Sequence, residues 1–242
     1  MRACPVGAVL PTQDNTQKKI DTEKCTLCGK CVEACFVEAL TLAGRYYNVP
    51  EIITEVEKNR AFYRKSGGGI TISGGEPLLQ DRFVYDLVKE CRSLGIHVAL
   101  ETTGYLPWQR LEKIVPYIDL FLYDLKHLDS QAHYAHTCKK NEIILENVRK
   151  ISSFHTPIIF RIPVIPGYTD GLENMGESAR FCATIKNVKR VDLLPYNPMG
   201  ESKYARLGRA FSLKGLKPPS AAEMEEIKRL FESFGLKVQI GG

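Results

Sequence analysis

The 242-residue sequence predicts an α/β protein, a barrel or partial barrel of parallel strands covered by helices, preceded by a small cysteine-rich segment. Three observations carry this. Short apolar runs rich in β-branched residues alternate with longer amphipathic stretches from residue 69 onward, the pattern of repeated βα units. Those runs close on charged or hydroxyl side chains, which gathers polar chemistry at the C-terminal strand ends, as in barrels. Five of the eight cysteines fall within the first 35 residues. An open Rossmann-type sheet is the alternative, but no G-x-G-x-x-G follows a first strand.

A length of 242 residues suits one large domain, or a small domain joined to a larger one. The net charge is +5, with basic residues scattered among acidic ones, so a solvated mixed surface is expected rather than a nucleic-acid footprint. No apolar run approaches a membrane span and no signal-peptide pattern opens the chain, so no membrane contact is expected and the location expected is the cytoplasm.

The chain begins with its cysteines. Cys25, Cys28, Cys31 and Cys35 have C-x2-C-x2-C-x3-C spacing, in which three thiolates hold one 4Fe–4S cluster and the fourth ligates a neighbouring one. Zinc is the alternative, but it more usually joins two separated C-x2-C knuckles. Residues 1–9 repeat residues 32–40, with alanine, cysteine, valine and alanine in register, so Cys4 takes the place of Cys35 in a first half-repeat. Cys4 then completes the cluster of Cys25, Cys28 and Cys31. Cys35 is expected to ligate a second, incomplete cluster whose other cysteines belong before Met1. The expectation is therefore a sequence that lacks its true N-terminus; the competing reading is a one-cluster protein with Cys35 as a free thiol. Cys91, Cys138 and Cys182 are expected to be small core residues.

Next, residues 49–63 show helical spacing, with Ile52, Ile53, Val56 and Phe62 toward one face. Strand Ile70–Ser73 precedes helix Asp81–Leu94, and strand Ile96–Glu101 precedes helix Pro107–Val115. Strand Leu120–Asp124 leads through a polar loop to helix Glu142–Ser152, and strand Ile158–Val164 to helix Leu172–Ile185. Strand Arg190–Leu194 leads through a long loop to helix Ala221–Phe234, and residues 238–240 form a last short strand. Apolar strands in such units make a parallel sheet.

The candidate site lies at the strand ends. Gly74 and Gly75 follow the first strand and let the backbone approach a ligand without a Cβ in the way. Ser73 precedes them, Glu76 adds a carboxylate, and Pro77 fixes the chain beyond it; together they suit an ammonium group. The second strand ends in Glu101 and Thr102. The third ends in Asp124 and Lys126, two residues apart and able to share a face. Arg161 is a charge inside the apolar fourth strand, and the fifth runs into Pro195-Tyr196-Asn197. One such residue would read as a structural ion pair; four successive strand ends read as a ligand site.

These features resemble the glycyl-radical-enzyme activating enzymes of the radical S-adenosylmethionine (SAM) superfamily. The most specific matches are Ser-Gly-Gly-Gly-Ile-Thr-Ile-Ser-Gly-Gly-Glu-Pro-Leu-Leu-Gln at 66–80, Asp124-Leu-Lys126 and Leu193-Leu-Pro-Tyr-Asn197. The resemblance implies a ferredoxin-like segment at 1–45 and a radical SAM partial (β/α) barrel at 46–242 that lacks its first strand. Ser73, Gly74, Gly75 and Glu76 would bind the SAM amino group. Glu101, Thr102, Asp124 and Lys126 would hold its carboxylate or ribose, directly or through a cation, with Arg161 facing the same ligand. Asn197 stands where some members carry His. A reduced 4Fe–4S cluster would cleave SAM to a 5′-deoxyadenosyl radical that takes hydrogen from a glycine of a partner glycyl radical enzyme, with a flavodoxin- or ferredoxin-type reductant supplying the electron. The family's C-x3-C-x2-C motif is absent from these 242 residues, so the chain alone is expected to be inactive. From a different class, an iron–sulfur electron carrier or binding module on a β/α scaffold is the alternative.

Overall fold

The computed structural model describes residues 3–11 and 19–241. They form two compact units: the described residues up to Tyr47 with Asn197–Lys217, and Asn48–Tyr196 with the described residues from Pro218 on. The helices in chain order are α1 (Lys30–Glu33), α2 (Val49–Glu57), α3 (Arg60–Ser66), α4 (Asp81–Ser93), α5 (Trp108–Leu111), α6 (Ser130–Thr137), α7 (Glu142–Ser152), α8 (Leu172–Thr184), α9 (Gly200–Arg206) and α10 (Ala221–Glu232). The strands are β1 (Gly69–Ile72), β2 (His97–Thr102), β3 (Leu120–Asp124), β4 (Ile158–Val164), β5 (Val188–Pro195) and β6 (Val238–Ile240).

In the larger unit the six strands lie side by side in chain order, and every neighbouring pair is parallel. Each strand added beside its predecessor is how a barrel wall grows, whereas a doubly wound sheet reverses order at a switch point. One face of the sheet carries Val98, Leu100, Phe121, Tyr123, Ile158, Phe160, Ile162, Val191 and Leu193, all fully buried. Their helix partners present apolar stripes at 3.6-residue spacing: Val84, Leu87, Val88 and Cys91 on α4, Ile144, Val148 and Ile151 on α7, Met175, Ala179 and Cys182 on α8. Each buried Leu, Ile or Phe contributes about 1.5–3 kcal/mol. With stability supplied on that face, the opposite face is left for charge. There Asp124, Arg161 and Asp192 stand side by side in register across β3, β4 and β5.

Four local expectations need correction. The predicted helix at 49–63 is two helices, α2 and α3. α2 opens on a capping box, in which Glu51 N–H donates to Asn48 Oδ1 at 2.9 Å and Asn48 N–H to Glu51 Oε2 at 2.7 Å. The chain leaves helical geometry at Asn59 (φ −99°, ψ 7°) before α3 begins. The predicted helix at 107–115 is only the short α5, followed by a 3-10 turn at Val115–Tyr117 around Pro116, which has no N–H to give. The polar loop after β3 contains α6, started by Asp129 Oδ1 accepting Ala132 N–H at 2.7 Å. Its sequence, Ser-Gln-Ala-His-Tyr-Ala-His-Thr, lacks an apolar stripe and gave no periodic signal. The long loop after β5 contains α9.

Cys91 and Cys182 are buried as expected, and burial pushes the Cys91 thiol up to about 11 and Cys182 higher still. Cys138 is not a core residue. It is exposed and ends α6 in the left-handed region (φ 58°).

Candidate functional site

The ends of β1 to β4 bring together most of the residues singled out in the sequence. Ser73 Oγ donates to Glu101 Oε2 at 2.9 Å. Arg161 forms an ion pair with Glu101 and lies 4.0 Å from Asp124, whose other oxygen accepts Lys126 Nζ at 3.1 Å. The row thus runs hydroxyl, carboxylate, guanidinium, carboxylate, ammonium. All four charged side chains keep between a fifth and two fifths of their surface exposed. Such half-buried charges retain accessible donors and acceptors of both signs for a zwitterion. The loop above fits the same group, since a Cβ built on Gly74 or Gly75 meets nothing within 4 Å. Gly74 itself has φ +138°, a conformation closed to other residues.

Glu76 is placed differently from the expectation of a carboxylate open to an ammonium. Its Oε1 accepts Thr102 Oγ1 at 2.8 Å and Leu78 N–H at 3.3 Å; its Oε2 accepts Thr103 N–H at 2.9 Å and Thr103 Oγ1 at 2.7 Å. A carboxylate offers about four lone-pair sites, and all are used. Glu76 therefore clips the glycine loop to the end of β2. Thr102 is buried behind it.

Thr103 was not singled out in the sequence, although the run Thr102-Thr103-Gly104 at a strand end was its signal. Asp192 was also missed. It is 2% exposed on β5 beside Arg161 and is paired with Arg190 at 2.6 Å; a charge two residues after another inside an apolar strand was the clue. Asn197 lies in the other unit, where its Oδ1 accepts Met199 N–H at 3.0 Å.

In the smaller unit, Cys4, Cys25, Cys28 and Cys31 line one cavity of about 190 Å³ with Val6, Ile20 and Leu40 among its apolar walls, and Cys35 does not. Among the described residues, no three Cys, His, Asp or Glu side chains are close enough to share one metal ion. Four thiolates around one cavity supply one cysteine for each iron of a 4Fe–4S cluster, so the donor set fits that group. The internal repeat is structural as well. Ala8 N–H donates to Cys4 Sγ and Ala39 N–H to Cys35 Sγ, each at 3.2 Å, and Gly7 and Glu38 both have positive φ. The Ala8 amide, with help from Val6, holds the Cys4 thiol below its usual pKa.

Comparison with known proteins gives the family. Residues 23–182 match the model of the radical SAM superfamily, and residues 1–36 match that of a 4Fe–4S dicluster domain. The chain is 38% identical, over 100% of its own length and 92% of the relative's, to a trans-4-hydroxy-L-proline dehydratase activating enzyme from Clostridioides difficile. It is 37% identical, over 98% of the chain and 77% of the relative, to an indoleacetate decarboxylase activating enzyme from Tractidigestivibacter scatoligenes. A crystallised domain of pyruvate-formate lyase-activating enzyme from Bacteroides vulgatus superposes with a TM-score of 0.62 at 32% identity, covering 72% of this chain and 99% of that one. The fold is also that of Streptococcus suis SuiB bound to S-adenosylmethionine, with a TM-score of 0.63 at 15% identity over 86% of this chain and 46% of that one. By sequence and fold, the chain belongs to the glycyl-radical-enzyme activating enzymes of the radical SAM superfamily.

Proposed function

We propose that this chain binds SAM at the ends of β1 to β4 and serves in generating a glycyl radical on a partner enzyme. The observation that carries this is Arg161 set between Glu101 and Asp124, with Ser73 and Lys126 completing the row. When bound against a reduced 4Fe–4S cluster, SAM supplies a 5′-deoxyadenosyl radical able to take a hydrogen atom from a glycine. The chain's own residues do the binding. Glu101 and Asp124 accept from the ammonium or hold a cation, and Lys126 and Arg161 donate to the carboxylate. Gly74 and Gly75 leave the backbone open to close approach. Cys4, Cys25, Cys28 and Cys31 would hold one cluster, and Cys35 would ligate a second.

The electron would come from a flavodoxin- or ferredoxin-type protein in the cytoplasm. Among the described residues no helix is long and apolar enough to cross a membrane. Because these 242 residues contain no C-x3-C-x2-C, the chain by itself is proposed to bind SAM without cleaving it.

The test is calorimetric titration of SAM into the iron- and sulfide-reconstituted chain, with 5′-deoxyadenosine assayed under reducing, anaerobic conditions. Saturable binding that is lost in Asp124→Ala, without 5′-deoxyadenosine, is the expected result. Absence of binding would favour an electron carrier, and substantial 5′-deoxyadenosine would refute the inactivity of the chain alone.

A further inference from the structure

We infer that Asn147, on α7 and remote from the strand-end charges, is a positioning residue for the glycine clamp. It acts through the β2–α5 loop, and the inference rests on reading the strand ends as a SAM site. Asn147 is 1% exposed and lies on the stripe of α7 otherwise formed by Ile144, Val148 and Ile151. An amide at such a position costs stability unless it is hydrogen-bonded. Its Nδ2 donates to two main-chain carbonyls of the loop, Gly104 O and Leu106 O, each at 2.8 Å. A leucine there would fill the same stripe. What the amide adds is a fixed height for the loop.

From the loop, hydrogen bonds continue to the clamp without a break. Gly104 N–H donates to Thr102 Oγ1 at 3.0 Å, and that hydroxyl donates its one proton to Glu76 Oε1 at 2.8 Å. Tyr105 N–H donates to Thr103 Oγ1 at 3.3 Å, which in turn donates to Glu76 Oε2 at 2.7 Å. Residues 102–106 are therefore one bonded strip, with Asn147 at one end and Glu76 at the other. A second strut comes from the same helix, because Tyr123 Oη donates to Ile144 O at 2.7 Å, one turn before Asn147. That phenol sits under Gly104, where a Cβ would approach the oxygen to 1.8 Å. The loop has no room to drop, and Asn147 keeps it from rising. With three of the four acceptor contacts of Glu76 made by Thr102 and Thr103, a shift of the threonines is a shift of the Gly74–Gly75 backbone.

The test compares Asn147→Leu with Val148→Ala, a cavity in the same helix that touches no loop carbonyl. Amide hydrogen exchange at residues 103–105 in the SAM-free chain and the SAM dissociation constant of the reconstituted chain are both measured. In Asn147→Leu these amides should exchange about tenfold faster and SAM should bind roughly five- to tenfold more weakly. In Val148→Ala, despite lost stability, both should stay within about twofold of wild type. If Asn147→Leu does not fold, Asn147→Ser, able to donate to one carbonyl only, should give intermediate shifts in both. Unchanged amides in the Asn147 variant, or equal shifts in Val148→Ala, would overturn the inference. Wild-type chain that binds no SAM would instead refute the site itself, while the exchange data would still decide whether Asn147 sets the strip.

Discussion

Thr103 grips one oxygen of Glu76 twice, with its main-chain N–H at 2.9 Å and its hydroxyl at 2.7 Å. The contact turns a motif carboxylate into a structural clip; in the proposed SAM site, recognition of the amine would fall to the main chain and to Glu101 and Asp124. Thr103→Val keeps the branched shape and the N–H but removes the hydroxyl bond. It should weaken SAM binding several-fold and cost about 1 kcal/mol of stability, read by titration and urea unfolding. An unchanged dissociation constant would mean that the clip does not transmit to the ligand.

Arg161 is the hinge of the charge row. Removing it leaves Glu101 and Asp124 as facing, half-buried carboxylates without their shared cation. Arg161→Leu should raise the SAM dissociation constant about tenfold or more and destabilise the fold by about 1–3 kcal/mol. Arg161→Lys restores the charge but not the planar fork, and should recover only part of the affinity. Equal affinity in the Leu variant and wild type would exclude Arg161 from the ligand site.

The cysteine cavity separates two roles within one motif. Cys25→Ala removes a wall residue of the cavity shared with Cys4, Cys28 and Cys31, whereas Cys35 lies outside that wall. After anaerobic reconstitution, Cys25→Ala should lose most of the bound iron and the broad 4Fe–4S absorption, and Cys35→Ala should retain one cluster's worth. Loss of iron in both variants alike would show that Cys35 belongs to the first cluster.

The sequence was most legible where local chemistry and tertiary role agree. The strands Leu120–Asp124 and Ile158–Val164 and the helix Glu142–Ser152 were placed residue for residue, because each is a clean apolar pattern bounded by turn residues. The charged strand ends were legible because charge interrupts such patterns. α6 was not, since its start depends on the Asp129 cap rather than on an apolar stripe. Nor was the direction in which Glu76 points. Gly-Gly-Glu-Pro names a carboxylate beside a flexible turn, but two threonine hydroxyls 26 and 27 residues away decide what that carboxylate faces. Asn147 was hidden for the same reason, as one polar residue in an α7 stripe whose partners are main-chain carbonyls at positions 104 and 106.

Acid should weaken the turn that follows the clamp. Arg110 Nη2 lies 2.7 Å from Asp81 Oδ1 and also donates to the carbonyls of Leu78 and Leu79 at 3.2 and 3.3 Å, so it ties the turn after Pro77 to the start of α4. The Arg110 guanidinium holds the Asp81 carboxyl below the usual carboxylate range. With the folded-state pKa depressed, the pair's stabilisation is fully present above the unfolded pKa of about 4 and is lost as pH falls through the lower folded value. Both partners are partly exposed, so the effect is that of a surface pair. Asp81→Asn should lower the urea midpoint at pH 7 by on the order of a few tenths molar. Wild type should then lose more stability than the variant on acidification, and the two midpoints should converge once the pH has fallen below the depressed folded-state value. A gap that persists unchanged below that value would show that the charge on Asp81 is not what holds the turn.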